Sequence, residues 1–161
     1  QRLETVDFVV INGIDHAGIS AQLSKFQLEP LSMNLEVHGW VRITETDRTS
    51  GAVTPLTPVP FATPVHAVAG IANPDRFFVS LRELGLDFLP HPFNDHHNFK
   101  PEDFVFSDDR TVVMTSKDAV KCESFAKPDW WALEVRAKID SELLVNIEQR
   151  IRSLIAERRE R

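Results

Sequence analysis

Between residues 65 and 135, strand-like and helix-like runs take turns, and this alternation limits the possible folds more than any other feature of the chain. Residues 65–71 read as an apolar strand. Asn73 can cap a helix, Pro74 suits its first position, and Asp75 favours the positive helix end. Phe77, Phe78, Leu81 and Leu84 share one helical face, and Gly85 closes it. Residues 86–89 read as the next strand, 101–104 as a helical turn, 111–115 as a strand, 117–124 as a short helix and 130–135 as a last strand. The expectation is an α/β fold: a mostly parallel sheet with flanking helices, joined by right-handed crossovers.

The flanks are less regular. Residues 6–12 read as a buried strand, and residues 27–31 and 35–43 as two more, with Gly39 marking a bulge. Residues 52–64 carry Pro55, Pro58, Pro60 and Pro64, which fits an extended connector and not a central strand. Residues 140–161 form a long C-terminal helix with Leu143, Leu144, Ile147, Ile151, Leu154 and Ile155 on one stripe. Glu148 with Arg152 and Glu157 with Arg161 are favourable i,i+4 pairs. The organisation expected is residues 1–60 as edge strands and linker, 61–135 as a compact lobe, and 136–161 as the helix.

Composition narrows the chemistry. The 161 residues are 42% hydrophobic and carry a net charge of −6. A core is affordable, and an acidic chain is a poor match for nucleic acid. One cysteine, Cys122, excludes an internal disulfide and reads as a small core residue. No apolar run approaches the ~18 residues of a membrane span. The chain lacks an initiator methionine and enters a strand almost at once, which reads as a segment cut from a longer one. No GxxxxGK[ST] phosphate loop and no GxSxG elbow is present.

Three short motifs stand at predicted strand ends, where open α/β sheets bind ligands. The first runs from Gly70 through Asn73 to Phe78. The second is His91-Pro92-Phe93-Asn94-Asp95-His96-His97. Asp95 beside two imidazoles can orient one ring and raise its basicity, which suits proton handling. A metal site with His91 as a further ligand, or a plain polar loop, accounts for the same residues. The third is Met114-Thr115-Ser116-Lys117-Asp118-Ala119-Val120-Lys121. A capped helix start with a lysine can meet an anion, so Thr115, Lys117 and Asn73 are the candidates for contacting substrate or phosphate. Trp130 and Trp131 read as core or interface packing.

In order and spacing, these motifs resemble the C-terminal half of tetraacyldisaccharide 4′-kinase, the lipid A 4′-kinase of Gram-negative bacteria. The matching pieces are Gly70-Ile71, Pro74-Asp75-Arg76-Phe77-Phe78, Asp95-His96-His97 and Thr115 with Lys117 to Lys121. Val9 to Gly13 resembles the strand after the family's kinase lobe. Ser116 stands where the family usually has Glu, and Asn94 where Pro is common. The resemblance implies the C-terminal lobe of a two-lobed P-loop-type kinase. It implies transfer of the ATP γ-phosphate to the 4′-hydroxyl of a lipid A disaccharide precursor, a tetraacyldisaccharide 1-phosphate. It places the enzyme peripherally on the cytoplasmic face of the inner membrane, with ATP and Mg²⁺ bound mainly by residues before Gln1. By motif position His96 assists an aspartate base on the other lobe, with His97 the second choice and Asp95 orienting the ring; no metal ligand falls in this segment. The segment alone is expected to be inactive. A metal-dependent phosphoesterase built on Asp95, His96 and His97, and a non-catalytic α/β binding module, are the rival readings.

Overall fold

The computed structural model describes residues 3, 6–15, 17–26, 28, 30–44, 51–139 and 141–159, with the side chains of 142 and 159 left aside. In chain order the elements are β1 (Val9–Asn12), α1 (Ile19–Leu23), β2 (Pro30–Arg42), β3 (Val65–Ala69), α2 (Pro74–Glu83), β4 (Phe88–Pro92), β5 (Val112–Thr115), α3 (Ser116–Cys122), β6 (Trp131–Ile139) and α4 (Ser141–Arg159). Single 3-10 turns add Ser24–Phe26 and Pro101–Phe104. Among the described residues six strands form one sheet, ordered β1-β2-β6-β5-β3-β4. The pairs β1·β2, β3·β4, β3·β5 and β5·β6 are parallel. The Ile43 N–H donates to the Trp130 carbonyl where β2 has just ended and β6 is about to begin. Those two strands therefore run in opposite senses, and the sheet is mixed.

The chain divides into two compact units, residues 1–36 with 136–161, and residues 37–135. In the second unit every residue of β3 is buried. Val65, Ala67 and Ala69 face a cluster with Phe77, Phe78 and Leu81 of α2 and Trp131 of β6. Val68 faces the other cluster, with Phe99, Phe104, Met114, Cys122 and Trp130. Both faces are thus covered, as a parallel strand flanked by helices requires. Each buried Phe or Leu stabilises this unit by about 1.5–3 kcal/mol. The α2 helix starts as its sequence dictates: the Asn73 side chain accepts from the Arg76 N–H at 3.3 Å, with Pro74 at the first position. Trp130 and Trp131 are both core residues. Cys122 is buried as well, and burial pushes its thiol up to about 12, so it stays protonated.

Three expectations shift. The strands expected at residues 27–31 and 35–43 are one strand, β2, from Pro30 on, because the polar residues between them sit on a half-exposed segment that still pairs with β1; Gln27 and Glu29 lie outside the described residues. Gly39 serves a close approach: a Cβ there would lie 2.4 Å from a Val53 methyl and 2.5 Å from the Thr54 carbonyl oxygen. Trp40 and Thr54 exchange both backbone hydrogen bonds beside it, at 2.8 and 2.7 Å. Finally, β4 begins at Phe88 and runs through Pro90 and Pro92. It is the terminal strand of the sheet, where a missing N–H leaves no ladder partner unpaired.

The first unit is thinly packed. Among its described residues only Leu23 and Leu143 are buried. Leu144, Ile151, Leu154 and Ile155, expected on one covered stripe of α4, are exposed. Asp15 caps the short α1 through the Ile19 and Ser20 N–H groups, both at 2.8 Å. The expected Glu148–Arg152 pair forms at 2.7 Å. Arg161 lies outside the described residues, and Glu157 instead lies 3.9 Å from Arg150.

Candidate functional site

At the C-terminal ends of β3 and β5 the first and third motifs meet on one buried carboxylate. Asp118, in the first turn of α3, has no exposed surface. Its Oδ2 accepts from the Gly70 N–H at 2.9 Å and from the Thr115 hydroxyl at 2.7 Å, and its Oδ1 accepts from Lys121 Nζ at 3.0 Å. Thr115 Oγ1 in turn accepts from the Asp118 N–H at 3.1 Å, which caps α3. Lys121 Nζ also lies 5.4 Å above the Phe99 ring. Gly70 has to be glycine here, because a Cβ would sit 2.9 Å from the Phe99 ring and 3.3 Å from Asp118 Oδ1. The Gly70 contact closes over 48 residues of sequence, so the motif pattern alone did not reveal the role of Asp118 or the need for Gly70.

The second motif leaves β4 beside this hub, and it separates its two adjacent histidines, His96 and His97. His96 is exposed, at 75% of its side chain, and has φ of 60°. That left-handed backbone is uncommon for a residue other than glycine. Its own N–H donates to Asp95 Oδ1 at 3.0 Å, and its Nε2 lies 3.6 Å from Asp95 Oδ2. Lys117 Nζ reaches the same Asp95 Oδ1 at 3.5 Å. His97 faces inward: its ring lies 4.7 Å from that of Phe93 and 4.8 Å from that of Phe99, and its Nε2 donates to Asp103 Oδ2 at 2.9 Å. The His97 hydrogen bond, with help from the Lys100 N–H, holds the Asp103 carboxyl below its usual range.

The structure therefore brings Asp95, His96 and Lys117 together and turns His97 toward Phe93, Phe99 and Asp103. Thr115 and Asn73 spend their side-chain oxygens on helix caps. Ser116, standing where a glutamate was expected, places its hydroxyl 2.7 Å from Glu134 Oε2 and 2.9 Å from the Leu133 carbonyl. Ser116 thus contacts a carboxylate of β6, Glu134, a residue that no motif singled out.

His91 does not join this group. It pairs instead with His66, a buried residue of β3 that the sequence reading passed over. His66 Nδ1 and His91 Nε2 are 2.9 Å apart, and His66 Nε2 lies 2.9 Å from Asp108 Oδ1. Phe106 stacks on His66 at 3.9 Å. A carboxylate only accepts, so His66 carries its proton on Nε2, and with both rings neutral Nδ1 accepts from the His91 N–H. A proton on each ring breaks that bond. Burial, and then the neighbouring His66, hold His91 below the ordinary histidine value. Hence as pH falls through the mid-six range the unfolded chain binds a proton that folded His91 resists, and stability declines. The thermal midpoint is expected to drop between pH 7.5 and 5.5, and His91→Gln, which keeps a donor but cannot titrate, is expected to flatten that drop. An unchanged pH profile for the variant rules out His91 as the source. Among the described residues no group of three or more His, Cys, Asp or Glu is arranged to hold a metal ion.

A family model for LpxK, tetraacyldisaccharide-1-P 4′-kinase, matches residues 1–152. The tetraacyldisaccharide 4′-kinase of Hahella chejuensis is 36% identical over 155 residues, covering 96% of this chain and 41% of that protein. That of Pseudomonas aeruginosa is 36% identical over 157 residues, covering 97% and 43%. That of Nitrosococcus oceani is 42% identical over 130 residues, covering 81% and 33%. The chain spans less than half the length of these relatives. The crystal structure of the "apo" form of LpxK from Aquifex aeolicus in complex with ATP shares the fold, with a TM-score of 0.53 and 18% identity over 74% of this chain and 35% of that one. The model match over nearly the whole sequence and the identity to several kinases agree with the three motifs, and the chain belongs to the tetraacyldisaccharide 4′-kinase family.

Proposed function

We propose that this chain forms the C-terminal lobe of a lipid A 4′-kinase and contributes His96 to the transfer of the ATP γ-phosphate onto the 4′-hydroxyl of a tetraacyldisaccharide 1-phosphate. The observation that carries this reading is His96 itself, an exposed imidazole at the ligand edge of the sheet with a carboxylate against it. Phosphoryl transfer needs positioning, charge stabilisation and a base that receives the hydroxyl proton. An imidazole backed by a carboxylate can assist such a base. Asp95 orients the ring, and Lys117 lies against the same carboxylate.

The sequence has no phosphate loop to hold ATP and Mg²⁺. Both are therefore assigned to the part of the enzyme that the longer relatives carry and this chain does not span. The exposed apolar residues of the first unit, Val10, Ile14, Leu144, Ile151 and Ile155 among them, support a covering polypeptide of that kind. Residues 1–60 then act as edge and linker of the kinase lobe, and 61–135 as the lobe that brings His96. Among the described residues no helix is long and apolar enough to cross a membrane. Access to a lipid substrate then comes from peripheral attachment to the cytoplasmic face of the inner membrane.

The test is a pair of assays with ATP and the tetraacyldisaccharide 1-phosphate. The 161-residue chain alone is expected to show no turnover, and the full-length protein containing it is expected to phosphorylate the 4′ position. ATP turnover by the chain alone overturns the division of labour; a full-length protein without transfer overturns the activity.

A further inference from the structure

We propose that Lys117 is a positioning residue that acts through Asp95 on His96, and not a direct ligand of the substrate's phosphate. This rests on the kinase reading above. The two oxygens of Asp95 have different tasks. Oδ1 takes the His96 N–H at 3.0 Å and Lys117 Nζ at 3.5 Å. Oδ2 is left facing His96 Nε2 at 3.6 Å, beyond hydrogen-bond length but within ion-pair range. Rotating the carboxylate would move both contacts to His96 at once, backbone and ring. The backbone contact matters because His96 holds a left-handed φ of 60°, a conformation that persists where local contacts enforce it.

The mount of Lys117 makes this more than a surface ion pair. It is the second residue of α3, and the start of α3 is pinned by Thr115 and by the fully buried Asp118, itself fastened to Gly70 and Lys121. The ammonium is thus delivered to Asp95 from an anchored helix start, while the Asp95 and His96 side chains stand exposed at the loop surface. Exposed pairs contribute little stability. With side chains 51% and 38% exposed, Lys117 and Asp95 fit that class, so the effect of the pair falls on geometry and not on folding.

A double-mutant cycle in the full-length kinase decides the matter. Lys117→Met and Asp95→Asn are made singly and together, with kcat and both KM values measured for each. If Lys117 acts through Asp95, Lys117→Met lowers kcat about tenfold with KM nearly unchanged, and the double variant is no slower than Asp95→Asn alone to within about twofold. Lys117→Arg, which can still reach the carboxylate, keeps kcat within about threefold of the parent. Effects that multiply in the double variant, or a rise in KM for the disaccharide phosphate as the main consequence of Lys117→Met, overturn the proposal and make Lys117 a direct phosphate contact. A Lys117→Met enzyme with parental kcat and KM overturns it as well. A parent protein that transfers no phosphate fails at the kinase reading instead, so the two failures are told apart.

Discussion

Asp118→Ala is expected to destabilise the chain by about 3 kcal/mol or more, because it removes a buried carboxylate and leaves its partners behind. The Gly70 N–H loses its acceptor at the end of β3, the Thr115 hydroxyl loses another, and Lys121 loses its counter-charge. Lys121 is 25% exposed and can turn to water, which keeps the cost toward the lower end of what a broken buried pair entails. For a domain of this size the thermal midpoint is expected to fall by roughly 6–12 °C. Asp118→Asn separates the contributions. Its amide oxygen can still accept from Gly70 and Thr115, while its NH₂ group faces the Lys121 ammonium, so about half the loss is expected. Equal midpoints for the parent and Asp118→Ala would remove Asp118 from its place as the fastening between the first and third motifs.

That fastening also shows where reading the sequence stops. Features set within a few residues were legible. Asn73 and Pro74 start α2, Thr115 starts α3, and the apolar run at Val65 is a strand, each because the deciding contact lies one turn away or in the residue's own hydropathy. Asp118 was visible only as a polar residue of a short helix, since its deciding partner Gly70 is remote in sequence. The same holds for His66, bonded to His91 and Asp108 across 25 and 42 residues. The prolines of β4 misplaced that strand for a related reason: whether a missing N–H matters depends on the strand being the last in the sheet, a property of the whole fold. In the candidate site the sequence placed Asp95, His96 and His97 side by side but could not say which ring faces out. A single left-handed residue decides that, turning His96 to solvent and His97 toward Phe93 and Phe99.

The two histidines are therefore expected to fail in opposite ways, and this contrast is the strongest test of the site. His96→Ala removes an exposed ring and should leave the thermal midpoint of the chain within about 2 °C, consistent with a surface substitution. In the full-length kinase it should lower kcat about 10²- to 10³-fold, the usual effect of deleting a group that assists proton transfer. His97→Ala does the reverse. It leaves a gap against Phe93 and Phe99 and frees Asp103 Oδ2 from its donor, at a cost of about 1–3 kcal/mol in stability. Its kcat should change far less once the protein is assayed below its lowered midpoint. Because Asp103 is held below the usual carboxyl range chiefly by His97, His97→Ala should also weaken a contribution to stability that is present above the ordinary aspartate value and lost as pH falls below it. Melting curves of the chain and steady-state rates of the full-length enzyme, taken on the same two substitutions, give the answer. If His97→Ala keeps its fold and loses more kcat than His96→Ala, the assisting imidazole is His97, and the exposed ring beside Asp95 is only the turn that presents it.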